Sequence, residues 1–212
     1  GLLSITKGAT PRIEGTLAFD RLVLDPYIEP AIADGQPIGR LLFDRALLRH
    51  FDADLRLSAG AIDAGKLKLG HGAFTITAKE DAIVSEVSEL ELCGGTASGR
   101  LNADDSQATK RLSLAASVAD VAIDTCLAQF GLDVPIQGIG GAKIELASEG
   151  HGAVEVLHGL TGGLKVKARS GTVPIDLSRL VTAPAPLEAD SWNPNKSTAF
   201  DTLNADCRVA AG

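Results

Sequence analysis

The chain has 212 residues, of which 45% are hydrophobic, and a net charge of -7. That is apolar material enough for one sizeable core, so a single domain over residues 1–212 is expected and global disorder is excluded. Lys and Arg are spread along the sequence rather than clustered, which argues against a nucleic-acid partner. No stretch approaches the roughly 20 consecutive apolar residues that cross a bilayer, and no charged region followed by an apolar run marks a signal peptide.

In chain order, the sequence is a series of short runs in which apolar and polar residues alternate. This is the signature of strands with one dry and one wet face. GTLAFDRLVLDPYIEPA predicts a strand from Thr16 to Leu24 that stops at Asp25-Pro26, because Pro26 has no ladder donor. After a loop through Gly35, Pro37 and Gly39, the apolar spacing from Leu41 to His50 predicts a short helical or turn segment. FDADLRLSA then sends Phe51, Ala53, Leu55 and Leu57 to one face and Asp52, Asp54, Arg56 and Ser58 to the other.

The rhythm returns at Leu67 and Leu69, at Phe74 and Ile76, and at Leu112, Leu114, Ala116 and Val118. It continues at Ile144 and Leu146, at Leu164 and Val166, and at Leu203, Ala205, Cys207 and Val209. Tight turns are expected at Gly60, Gly65, Gly70, Gly72 and Gly94-Gly95, so the strands read as an antiparallel meander. A helix is predicted from Asp124, as N-cap, to Gly131 just past its end. A second is predicted from about Gly152 to Leu160, with Val154, Val156, Leu157 and Leu160 covering sheet and Gly162-Gly163 ending it. Thr182 to Ser197 is polar, Pro-bearing and aperiodic, and reads as a mobile loop.

Residues that could carry chemistry are few. His50, His71, His151 and His158 are scattered, and the spacing of His151 and His158 puts them two helical turns apart, too far for one metal without other ligands. GIGGAKIE lacks the Lys-Ser or Lys-Thr pair and the following helix of a phosphate loop, and reads as a turn between strands. Cys93, Cys126 and Cys207 are an odd count at wide spacing, so no disulfide framework is expected, and a pair forms only if geometry allows. Cys93 has no local base to activate it and reads as a small strand-end residue. No catalytic residue, cofactor or metal site is assigned.

Several segments together resemble the C-terminal part of the AsmA-like proteins of Gram-negative bacteria, over nearly the whole chain. They are GTLAFDRLVLDPYI, FDADLRLSAG, KLKLGHGAFTITAKE, LELCGGTASGRL, LHGLTGGLKVKARSGTVPIDLSRL and TAFDTLNADCRVAAG, in that order. The most specific piece is Gly162-Gly163-Leu164-Lys165-Val166 with Gly171, Ile175, Asp176 and Leu177, followed by Thr198-Ala199-Phe200-Asp201-Thr202-Leu203. Pro174 stands where the family more often has Gly, and Gly212 falls where its closing strands should begin. A piece of a longer chain is therefore expected.

The resemblance implies a curved antiparallel meander forming a groove, mainly β with one to three short helices. It also implies a periplasmic protein anchored elsewhere in the inner membrane, carrying phospholipid for outer-membrane lipid homeostasis. In that family Asp25-Pro26-Tyr27 is where strand meets helix, so the single Tyr reads as structural. The expected lipid-lining residues are Leu55, Leu57, Leu67, Leu69, Phe74, Ile76, Leu112, Leu114, Ile144, Leu146, Leu164, Val166 and Leu203. Two other readings stand beside this one. Inward Leu and Val are most often plain core, and a structural module could dock an envelope partner through its sheet edges.

Overall fold

The computed structural model describes residues 1–8, 10–26, 51–65, 67–79, 81–105, 108–174 and 197–210. The alternating runs form an open ten-stranded sheet and a small three-stranded one. The long sheet consists of β1 (Leu2–Thr6), β2 (Arg12–Phe19), β4 (Asp52–Ala59), β7 (Gly72–Lys79), β8 (Ala82–Leu92), β9 (Gly95–Asp104), β10 (Lys110–Ala122), β11 (Gln137–Gly150), β12 (Thr161–Val173) and β13 (Thr198–Val209), in that spatial order. The small sheet is β3 (Leu22–Val23), β5 (Ile62–Ala64) and β6 (Leu67–Leu69), with β5 in the middle. From β4 onward every pairing in the long sheet is antiparallel, as the meander expectation holds, whereas β2 and β4 run parallel.

The strand expected from Thr16 to Leu24 is broken at Asp20, and its second half leaves for the other sheet. Its neighbour breaks beside it. Gly60 donates to the Phe19 carbonyl (3.0 Å) and Ala61 to that of Asp20 (3.1 Å), so β2 with β4 continue, bent together, as β3 with β5. A Cβ on Gly60 would lie 2.9 Å from the Asp20 oxygen, so this approach needs glycine. Gly72, expected in a turn, opens β7 instead. A Cβ there would stand 2.7 Å from the Phe74 ring and 3.0 Å from Ile62 Cδ1, so the missing side chain lets the small sheet close on the long one.

Within the described part of the meander, two short helices interrupt the strands. α1 (Ile123–Gln129) has Ala122 at its N-cap with no side-chain cap, so Asp124 sits in the first turn rather than capping. There its carboxylate faces the positive end of the helix. Gly131 takes φ +74° just past the end, where its N–H bonds the Ala128 carbonyl and that of Leu132 bonds the Leu127 carbonyl, closing the C-terminus as anticipated. α2 (Ala153–His158) is held at its start by Glu155, which accepts from the His151 N–H at 2.8 Å, and ends at Gly159. Gly162 and Gly163, expected to end it, lie inside β12.

Cys93 and Cys126 form a disulfide, with Cα atoms 5.4 Å apart. This corrects the reading of Cys93 as an inert strand-end residue, because the β8–β9 turn and the start of α1 meet at one end of the sheet. A separation of 33 residues corresponds to about 4 kcal/mol on chain-entropy grounds. The segment expected as helix from Leu41 to His50, and all of the expected loop from Thr182 except Ser197, lie outside the described residues.

Candidate functional site

Cross-strand partners share a face, so the register decides which side chains line up across the sheet. One row reads Leu55, Ile76, Ser85, Leu101, Leu114, Leu146 and Gly162. The next reads Leu57, Phe74, Val87, Gly99, Ala116, Ile144, Leu164 and Cys207. A third continues through Val118, Ala142, Val166 and Ala205, and Leu203 follows beside Ala168. Ser85 is the one hydroxyl in the two central rows.

Three β-bulges keep the apolar set on the same face. At Ser88-Glu89 on β8 and Ala119-Asp120 on β10, and near Ser170 on β12, an added residue restores the alternation. Asp120 and Ser170 take φ of 56° and 52° there. Such bulges also bend the strand that carries them.

The two ends of this face are closed by packing. Beyond the first row, Ala53, Ala78, Ile83, Ala103 and Leu112 align. Val156 of α2, fully buried, presses onto Ala103 and Leu112, joined by Ala153, Leu157 and Leu160. Val154, expected to cover the sheet, is 56% exposed and points away. Phe51 packs on Ala53 and Ala78 along the same border. At the opposite end lie Ile62 of the small sheet and Ile123 of α1, the latter beside the open backbone of Gly140.

Of the thirteen expected lining residues, Leu55, Leu57, Phe74, Ile76, Leu114, Ile144, Leu146, Leu164, Val166 and Leu203 share this face and are half-buried. Leu112 shares it but is 5% exposed under α2, and so belongs to the core. Leu67 and Leu69 are on β6, outside the long sheet, paired with Ala64 and Ile62. They share the face by which Ile62 closes one end.

The small sheet is clasped by Asp63, whose side chain is 9% exposed and contacts Arg21 and Lys68, the latter at 3.0 Å. Hydrogen bonds from Arg21, and then from Lys68, hold its carboxyl below the usual range, while the Arg21 guanidinium is pushed upward by the same bond. Among the described residues no group of three His, Cys, Asp or Glu is placed to hold a metal. His71 stands between Glu89 and Glu91, at 3.4 and 3.3 Å. GIGGAKIE, expected as a turn between strands, instead lies inside strand β11.

The reverse face is polar, carrying Arg56, Thr75, Glu86, Arg100 and Glu145 in one row. A depression of about 630 Å³ lies there, between β10 and β13. It is on the wrong side of the sheet to be the apolar lining. No helix among the described residues is long and apolar enough to cross a membrane. No family model, curated protein or solved structure matches the chain.

Proposed function

We propose that this chain is a non-enzymatic lipid-handling module of the AsmA type. Its apolar face shields phospholipid acyl chains in the periplasm of a Gram-negative bacterium, in a parent protein anchored in the inner membrane, and serves outer-membrane lipid homeostasis. The observation that carries the reading is the alignment of apolar rows across the strands between two packed ends. From β4 to β12 a row runs roughly 29 Å at about 4.8 Å per strand. An acyl chain spans half of a roughly 30 Å hydrocarbon core, so such a row matches about two chains end to end. Leaving sixteen carbons in water costs about 0.8 kcal/mol per methylene, roughly 13 kcal/mol in all, which a continuous apolar lining offsets. The Cys93–Cys126 bond fits an oxidising compartment such as the periplasm.

The test is lipid copurification from envelopes, followed by mass spectrometry. Wild type should carry phospholipid, and Leu55→Glu and Val166→Glu should lose it while Arg56→Glu keeps it. Equal retention in all three would remove the groove reading.

A second reading, a module that docks an envelope partner by strand addition, is favoured by β1. It is the outermost strand of the sheet, and its Leu2, Leu3 and Ile5 are 78%, 50% and 62% exposed. A protein crosslinked at Ile5, with no copurifying lipid, would favour it.

A further inference from the structure

On the polar face, the fold gathers cations that the sequence keeps apart. Lys143 on β11 stands directly opposite Lys165 on β12. Lys167 and Arg169 follow on the same face of β12, each roughly 7 Å further along the strand. All four line the depression of about 630 Å³, together with Ser117 and Asn204, in a chain whose net charge is -7. Among the described residues, Asp120 is the one carboxylate in that lining, and it is engaged with Arg169 at 2.9 Å. Asp206 lies opposite Lys165, and Glu145 follows Lys143 on its face. Among the described residues, neither makes an ion pair with these lysines, so three ammonium groups border one hollow without a direct ion-pair partner.

Like charges directly opposite in a sheet are destabilising, with Cβ atoms about 5 Å apart. Their convergence is explained if an anion sits among them. We propose that this depression binds a phosphate ester, with Lys143, Lys165 and Lys167 holding the phosphate oxygens while Ser117 and Asn204 contact the rest of the ligand. Ammonium groups suit a phosphate as point charges that need no fixed fork geometry. The hollow also has the size of a small-molecule site. It lies on the reverse of the apolar face and does not depend on that face carrying lipid.

The probe is glycerol 3-phosphate, titrated calorimetrically into the full 212-residue chain. Wild type should bind it with an affinity that falls as salt rises. Lys143→Gln/Lys167→Gln should weaken binding about tenfold or more, the equivalent of one lost charge-assisted bond. Lys143→Arg/Lys167→Arg should retain it, and Arg56→Gln, on the same face but far away on β4, should match wild type. Without phosphate the double Gln variant should melt no lower than wild type, because it removes a repulsion, so lost binding would not report lost folding.

Flotation with phosphatidylglycerol and phosphatidylcholine vesicles separates the sources. Retention that is specific to phosphatidylglycerol and competed by glycerol 3-phosphate assigns a lipid headgroup. Binding of the soluble ester alone assigns a free phosphate ester. Absence of binding in wild type, or retention that survives Lys143→Gln/Lys167→Gln, overturns the proposal.

Discussion

Leu112 and Leu114 are two residues apart on β10, share one face and have the same side chain, yet only one is core. Leu112 is 5% exposed beneath Val156, whereas Leu114 is half-buried in a row that runs on through Leu101 and Leu146. The difference comes from α2, whose Val156 packs onto Ala103 and Leu112; Leu101 in the next row borders that cluster, and Leu114 is outside it. An alternating strand therefore serves two roles along its length. Its ends are fastened by whatever covers them, and its middle offers apolar surface that stability does not require to be so tightly closed.

The largest losses of stability are expected at the fastened ends. Cys126→Ser should cost about 4 kcal/mol, read as a lowered denaturant midpoint, and thiol reagents should label one cysteine before reduction and three after, since Cys207 alone is free. Two reactive thiols more in the unreduced protein would contradict the clamp. Leu112→Ala should cost about 3 kcal/mol, and Leu114→Ala about 1 kcal/mol, in proportion to the area each hides. Equal costs would mean that the two rows are one core.

Acid sharpens the picture at the small sheet. Because Asp63 is held below its unfolded value, the stability it contributes is present above about pH 4 and is lost as pH falls through the folded value. Asp63→Asn should flatten the acid limb of a stability–pH profile below about pH 4. An unchanged limb would remove the clasp from the account. The smallest effect is expected at Val154→Ser on the exposed side of α2, within about 0.5 kcal/mol of wild type by thermal melting. A larger loss there would put Val154 in the core.

Much of the sheet was legible because alternation with period two is a local property. Leu55, Phe74, Leu114, Ile144, Leu164 and Leu203 each declared their face from their own neighbours. The bulges left that reading intact, since each added residue falls between runs that alternate correctly on either side. What could not be read depends on contacts distant in sequence. Nothing near Cys93 announces Cys126, because the bond exists only after β9 and β10 have returned the chain to the same end of the sheet.

Leu67 and Leu69 alternate like the lining residues, and only the bend shared by Asp20 and Gly60 sends that region into a second sheet. The sequence signal lay in Gly65 and Gly70, which leave room for just a three-residue strand. The Lys143 and Lys165 pairing was equally hidden, since evenly spread cations become a cluster only through register. The Gly159 ending of α2, in place of Gly162-Gly163, shows the usual competition between a helix stop and a strand start when both are glycine-marked.

The central claim is tested most directly by a photo-crosslinking residue placed in living cells at Leu55 or Val166 in the apolar rows, with Arg56, one position along β4 on the opposite face, as control. The account predicts phospholipid attached at Leu55 and Val166 and none at Arg56. Lipid at neither apolar position, or equally at all three, would contradict it and leave that face as ordinary core.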